Sequence, residues 1–442
     1  MTVAWQKVRI DSVGDVQAGR QRSASIIRGT LRPYLRVANV FDGFIDYRDV
    51  LQMPFTDAEF RSYSLKPGDI LLNEGQSLEL VGRSAIYDGP PDSYCFQNTL
   101  VRFRPTENID ARYAQLAFQH MLVTGVFASI ASRTTSIAHL GVERFASLHI
   151  WLPPLDEQRA ISRVLSVWDR GIRLLSDLIA AKVRVKQGVM QQLLTGQRRL
   201  EAQTIQPPST TSSDVILSLG LTATAVEAER GLNGRSYDEG IPVLGKCPRG
   251  WQTWKLRDLL TPVQRPVQLN ATQPYRLVTA KRYRAGIVPR EVLLGNQIKT
   301  ATQFESKGGD FLISRRQIVH GACGLVPASL DGAIVSNEYS CLRVLGDLDP
   351  VFLEYLTHTK YLQRTFYQSS VGVTVEKMIF RLDHWLKYEI HVPPLDEQRR
   401  IVSLLSAIDR EIVLLDRQQK AMAEQKKGLM QKLLTGKVRV KP

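Results

Sequence analysis

Pro153-Pro-Leu-Asp-Glu-Gln-Arg159 is written a second time, letter for letter, as Pro393-Pro-Leu-Asp-Glu-Gln-Arg399. From each motif the register runs without a gap to Leu-Leu-Thr-Gly at 193–196 and 433–436, an offset of 240, and 25 of 48 positions agree between 153–200 and 393–440. An internal repeat of this length decides the architecture before any single motif does. Upstream of each copy the agreement is fainter but keeps its order: Trp5-Gln6 with Trp251-Gln252, Pro33-Tyr34 with Pro274-Tyr275, and Gly68-Asp69-Ile70-Leu71 with Gly309-Asp310-Phe311-Leu312. The chain is a globular head with a tail segment, written twice.

Both tails have helical periodicity. Ile161, Leu165, Trp168, Ile172, Leu175 and Ile179 step alternately by four and three, and Ile401, Leu405, Ile408, Ile412 and Leu415 occupy the same seam, which Gln419 breaks and Met422 resumes. Such a repeat is the mark of a coiled coil. Each helix starts behind Pro-Pro with acidic residues in its first turn and stops at Thr-Gly, the ends those residues favour. About 40 residues at 1.5 Å each make a rod of roughly 60 Å. Two such stripes in one chain can bury each other. The expectation is an antiparallel pair with one head at each end, related by a pseudo-twofold axis.

The heads mix short β-rich runs with helices. Pro33–Val40, Asp69–Leu72, Ser84–Tyr87 and Thr99–Arg104 read as strands in the first, and Tyr275–Thr279, Asp310–Ile313, Ala333–Val335 and Cys341–Val344 in the second. Helical stretches follow near Ala111–Ala131 and Val351–Tyr367, so the fold class is α+β. The expected domains are a first head over 1–152, a helix over 153–200, a linker over 201–249, a second head over 250–392 and a helix over 393–442. Pro207-Pro-Ser-Thr-Thr-Ser-Ser213 and four later glycines mark the linker, with a short helix around Val215 to Arg230.

In 442 residues, 58 Lys+Arg against 43 Asp+Glu leave a net charge of +15, which favours a polyanionic partner. Cys95, Cys247, Cys323 and Cys341 form no C-x-x-C pair, which argues against a zinc knuckle or disulfide scaffold and for a reducing, cytoplasmic setting. Met1 to Arg9 has no signal-peptide core, and the longest uncharged stretch, Tyr113 to Ser132, carries Gln115, Gln119 and His120, reading as a buried helix rather than a membrane span. Catalytic motifs are missing. Gly240-Ile-Pro-Val-Leu-Gly-Lys246-Cys247 lacks the terminal hydroxyl of a P-loop. The seven histidines make no ligand set. Glu305-Ser-Lys307 has the E-x-K form of a nuclease motif, with no Asp between Tyr275 and Phe304 to complete a metal site. No metal and no catalytic residue are expected.

Recognition is expected in the heads. Arg20, Arg22, Arg28 and Arg32, around Ser23 and Ser25, suit phosphate contacts, as do Lys281, Arg282, Arg284, Arg315 and Arg316. Base reading needs bidentate groups, and the candidates are Gln76, Arg83, Gln97 and Asn98, then Arg315, Gln317 and Asn337. Arg133-Thr134 and the string ending in Thr374 sit at matching places before the two Pro-Pro helices. The helices agree at half their positions while the heads agree only in places, as one scaffold carrying two different readers would.

The duplicated Pro-Pro-Leu-Asp-Glu-Gln-Arg helix, the Leu-Leu-Thr-Gly-Lys ending at 433–437 and Gly-Asp-Ile-Leu-Leu at 68–72 resemble the specificity subunits of type I restriction-modification systems. The resemblance spans nearly the whole chain. It implies two target recognition domains, each reading half of a split, asymmetric duplex sequence. The coiled coil would fix the spacer and dock two modification subunits, which use S-adenosylmethionine to methylate adenine N6. Up to two restriction subunits would add ATP- and Mg-dependent translocation and cleavage in host defence, with no cofactor in this chain. Two other readings stand beside it: the specificity subunit of a fused, Type IIB-like nuclease-methyltransferase, and a coiled-coil scaffold binding RNA or another polyanion.

Overall fold

The computed structural model describes residues 4–21, 29–133, 137–200 and 237–441. The linker segment 201–236 with its expected helix, and the candidates Arg22, Arg28 and Thr134, lie outside the described residues. Two compact units emerge, Met1–Ser176 with Asp416–Pro442 and Asp177–Leu415. Each takes one head and half of each long helix, so the units cut across the helix segments marked out by the repeat.

In the first head the apolar run Ile70–Asn73 is buried along its whole length and sits between two antiparallel neighbours, as a near-continuous hydrophobic run must. Its sheet has the order Gly14–Ala18, Leu100–Pro105, Ile70–Asn73, Ser84–Ile86. The second head repeats that order with Leu260–Pro262, Tyr339–Val344, Phe311–Ser314 and Cys323–Leu325. A second sheet lies beside each: Leu51–Phe55, Thr30–Leu35 and Cys95–Phe96 in the first head, and a larger five-stranded one built on Pro274–Ala280 and Ile287–Leu294 in the second. The expected Tyr113–Ser132 helix is two, Ala111–Val123 and Val126–Ile130, parted at Gly125 with φ +77°.

The strand before each long helix, His149–Leu152 or Glu389–Val392, pairs with the strand that opens its head, Gln6–Arg9 or Gln252–Lys255. The long helices, Leu155–Leu194 and Leu395–Leu433, then leave the heads. The repeated motif explains itself at this junction. Gln158 is buried: its carbonyl accepts from the Asp110 N–H at 2.8 Å and its amide donates to the carbonyls of Asn108 and Pro153. Gln398 does the same with Asp349, Asp347 and Pro393. Asp110 and Asp349 in turn cap Ala111–Val123 and Pro350–Leu356. One glutamine thus ties two helices and the preceding loop together.

Within each unit the helix segments run antiparallel. In the first, Glu157 meets Arg439, Asp169 meets Lys426 at 2.7 Å, and the Gln419 amide donates to the Ile172 carbonyl. In the second, Lys182 meets Glu411, Lys186 meets Asp409, and Arg199 meets Glu397. The pairs 157–439 and 397–199, like 169–426 and 409–186, are the same pair at the offset of 240. These positions are identical between the repeats because each residue must serve its copy of one antiparallel contact.

The seam is only partly closed. Ile161, Leu165, Ile401, Leu405 and Ile408 are buried, joined by Met430, Leu433 and Leu434 in the first unit and by Val189, Met190, Leu193 and Leu194 in the second. Trp168, Ile172, Leu175, Ile179, Ile412 and Leu415 are half-exposed. Two helices alone cannot enclose a seam as fully as a head packed under it does. Gly171, where the other repeat has Glu411, takes the Met422 side chain against its backbone.

Residues 237–249, assigned to the linker from composition, pack on the second head. Tyr237 stacks on Tyr367 with ring centroids 5.9 Å apart, and Asp238 holds Arg364 at 3.0 Å. The glycine string of the near-P-loop is therefore a docked strap, its Gly245 carbonyl meeting His391 at 2.8 Å.

Candidate nucleic-acid interface

Three segments of each head are knitted together by equivalent backbone hydrogen bonds. In the first head, the Glu74 N–H, just past strand Ile70–Asn73, donates to the Thr99 carbonyl at 2.9 Å, and the Glu74 carbonyl accepts from the Leu140 N–H at 2.8 Å. In the second head the Arg315 N–H donates to Glu338 and its carbonyl accepts from Phe380, both at 2.8 Å. The partners are the turn holding Asn98 or Asn337 and the return strand of a hairpin, Ser132–Arg133 with Ala138–His139 or Ser370–Val371 with Ile379–Phe380. Leu140 and Phe380, both fully buried, anchor that return. The scaffold is shared; the side chains standing on it are not.

In the first head, Gln76, Ala138 and Arg133 lie opposite one another across a three-stranded ribbon and so share a face. Arg133 and Asn98 are exposed, Gln76 and Gln97 half-buried. Glu74 Oε2 lies 3.0 Å from His139 Nδ1. Arg83 covers the Phe41 ring at 4.7 Å, and burial lowers the proton affinity of its guanidinium, Asp42 acting in the opposite sense.

The flexible arginine loop expected around Arg20 is corrected at Arg20 itself. That side chain is buried at 4% exposure, donates to Glu59 Oε1 at 2.8 Å and lies over Phe55. Arg32 stands on strand Thr30–Leu35 with its guanidinium 4.3 Å from the centre of the Phe60 ring. Both are tied into the second sheet of the head. Their spacing in sequence could not reveal this, because the aromatic partners arrive from Leu51–Phe55 and the helix Asp57–Tyr63.

In the second head the candidates do gather. Arg282 donates to the Gln317 side-chain carbonyl at 2.8 Å, and Arg316 makes a two-pronged pair with Glu338 at 2.6 and 3.1 Å. Tyr283 and Arg284 have φ of 61° and 57°, a left-handed conformation costing roughly 1–2 kcal/mol per residue for L side chains. It is held where the Arg284 N–H meets Gly321 and its side chain meets the Thr357 carbonyl at 2.7 Å. Arg284 is thereby withdrawn, and burial lowers its proton affinity. Lys281, Arg282 and Tyr283 remain exposed. Asn337 and Thr374 are exposed as well, and Val373, at the hairpin tip beside Thr374, is 98% exposed.

Arg315 lines a concavity of about 550 Å³ with Asn337, Arg381, Tyr339 and Phe304. Glu74 and Arg381 were missed in the sequence. The signal for Glu74 was there, since the matched Gly-Asp-Ile-Leu stretches put it opposite Arg315. Burial raises Cys95, Cys323 and Cys341 to about 12, so they remain thiols rather than nucleophiles. Among the described residues, no group of three His, Cys, Asp or Glu is placed to hold a metal ion, and no helix is long and apolar enough to cross a membrane.

These features match known proteins. The chain is 26% identical over 423 residues to a Methanocaldococcus jannaschii protein provisionally named the type I restriction enzyme MjaX specificity subunit, covering 92% of this chain and 88% of that one. It is 22% identical over 460 residues to the type I restriction enzyme MjaVIII specificity subunit of the same organism, covering 99% and 93%. A chain from a solved type I restriction-modification complex shares the fold at a TM-score of 0.55, with 16% identity and 97% of both chains covered. The family model described as the type I restriction modification DNA specificity domain matches residues 2–181 and again 248–425, once per repeat. With most of the sequence matched, the chain belongs to the type I restriction-modification DNA specificity family, whose members are the sequence-specific DNA-recognition subunits of those systems.

Proposed function

We propose that this chain chooses where a two-activity complex acts on DNA. Each head reads one half of a split, asymmetric duplex sequence, and the helices set the distance between the halves. Two modification subunits dock on the helices and methylate adenine N6 from S-adenosylmethionine. Up to two restriction subunits add ATP- and Mg-dependent cleavage. The chain supplies no reacting group and works in the cytoplasm.

The observation that carries this reading is the contrast at the three-segment junction. Its backbone bonds recur from head to head while Glu74 is replaced by Arg315 and Gly75 by Arg316. A common scaffold with exchanged hydrogen-bonding groups is what reading two different half-sites requires. Exposed apolar residues on the helices, Val167 and Leu174 in the first unit and Val413 and Leu414 in the second, support docking of a partner helix there. The test is a genome-wide map of N6-methyladenine with and without the gene. Loss of methylation at one split motif is the expected outcome; an unchanged map in a host with an active system overturns the reading.

A further inference from the structure

We infer that the residue just past the central strand is the base-reading position of each head: Arg315 donates to O6 and N7 of a guanine, and Glu74 accepts from the N4 amino group of a cytosine. The inference rests on the heads being DNA readers and says which side chain reads what.

Position comes first. Both backbone groups of each residue are committed, the N–H to the Asn-containing turn and the carbonyl to the hairpin return. The Cα and the direction of its Cα–Cβ bond are therefore fixed twice over in both heads. Bidentate reading of a base edge demands such a rigid platform. Neither loop tip offers an equivalent reader: in the Lys281–Arg284 segment Arg282 is spent on Gln317 and Arg284 on the Thr357 carbonyl, and Val373 at the hairpin tip is apolar.

Availability comes second. Most well-placed arginines near these junctions are already satisfied: Arg102 by Asp15, Arg104 by Asp69, Arg265 by Asp310, Arg316 by Glu338 and Arg364 by Asp238. Arg315 has no acidic or hydrogen-bonding side-chain partner among the described residues and faces a concavity walled by Asn337 and Arg381. Its five N–H donors are free for a ligand with paired acceptors. Glu74 has one carboxylate oxygen on His139, which holds the group in place and leaves Oε1 as an acceptor.

Chemistry comes third. A residue kept for packing would hold its character between two copies of one scaffold, whereas this position changes from acceptor to donor. Guanine offers two acceptors in the major groove and cytosine one amino donor. The reversal thus matches opposite members of a base pair.

The experiment uses the full chain assembled with its modification subunits and a randomised duplex library, sequenced after selection. Wild type is expected to enrich one split motif. Arg315→Ala should lose discrimination at a single G·C pair of one half-site by roughly 5- to 150-fold and leave the other half-site intact. Arg315→Lys should keep part of that preference, and it decides the matter if the alanine variant fails to fold. Glu74→Gln should shift one position of the other half-site from cytosine toward adenine, which a glutamine amide reads. A wild-type motif that survives Arg315→Ala and Glu74→Gln unchanged, or that weakens evenly on all sequences with a smaller salt slope, overturns the inference but not the DNA-reader function. A wild type that enriches no split motif overturns both.

Discussion

The Arg439 guanidinium grips the Glu157 carboxylate through two bonds of 2.7 Å, beneath which the Trp5 indole donates to the same carboxylate at 3.1 Å. Residues 282 positions apart thus close the first unit, and Arg199 with Glu397 repeats the pair in the second. The glutamates are buried and the arginines are not. Removing an arginine leaves a buried carboxylate uncompensated, the costly way to break such a pair. Arg439→Ala should therefore lower stability, moderately because the guanidinium is itself more than one-third exposed. Denaturant midpoints with and without the substitution check this, and Arg199→Ala should behave alike.

The same contact sets an acid limit. The Arg439 hydrogen bonds hold the Glu157 carboxyl below its ordinary value of 4.5. Below that value the unfolded chain binds a proton that the folded chain refuses, so stability falls as pH drops from 4.5 toward the lower folded value. Glu157→Gln should be less stable at pH 7 and show a flatter loss in that acid window. Unfolding midpoints measured from pH 7 to pH 3 give both comparisons.

Gln158 and Gln398 each satisfy one backbone N–H and two backbone carbonyls, of which those of Pro153 and Pro393 are buried. Replacement by leucine keeps volume but strands those groups. Gln158→Leu should cost about 2–4 kcal/mol and speed hydrogen exchange at Asp110 more than at the sheet. Equal protection at Asp110 in both proteins would contradict this account of the motif.

Arg20 and Lys281 separate structural from phosphate-binding arginines and lysines. Arg20→Ala removes a buried ion pair and should lower the melting temperature with little change in the salt slope of DNA binding. Lys281 is exposed on the strained loop and has no side-chain partner among the described residues, so Lys281→Ala should leave melting unchanged and reduce the slope by about one unit. Binding titrated against salt, beside a melt of each variant, distinguishes them.

Val167 and Leu174 stand one heptad apart on the exposed side of the first long helix. A charge at Leu174 has solvent on its own side in the free chain and would be desolvated under a docked partner. Leu174→Asp should leave the fold intact and weaken assembly with modification subunits at least tenfold, which co-purification and analytical ultracentrifugation measure.

The duplication, the two long helices with their ends, the α+β heads and the family resemblance were all legible in the order of residues. Each follows from local or repeated patterns: a seven-residue period, Pro-Pro and Thr-Gly boundaries, and a register kept over 48 positions. What the repeated letters do becomes visible only in the folded contacts. That Glu157 serves Arg439, that Gln158 locks a helix cap, and that Arg20 is interior while Arg315 lines a concavity with Asn337 and Arg381 depend on segments tens to hundreds of residues apart. Periodicity reports which face of a helix is apolar, but the partner of a charge depends on what the fold brings beside it. Glu74 and Arg315 share this feature, since the folded scaffold gives them equivalent backbone bonds and sequence gives them opposite chemistry.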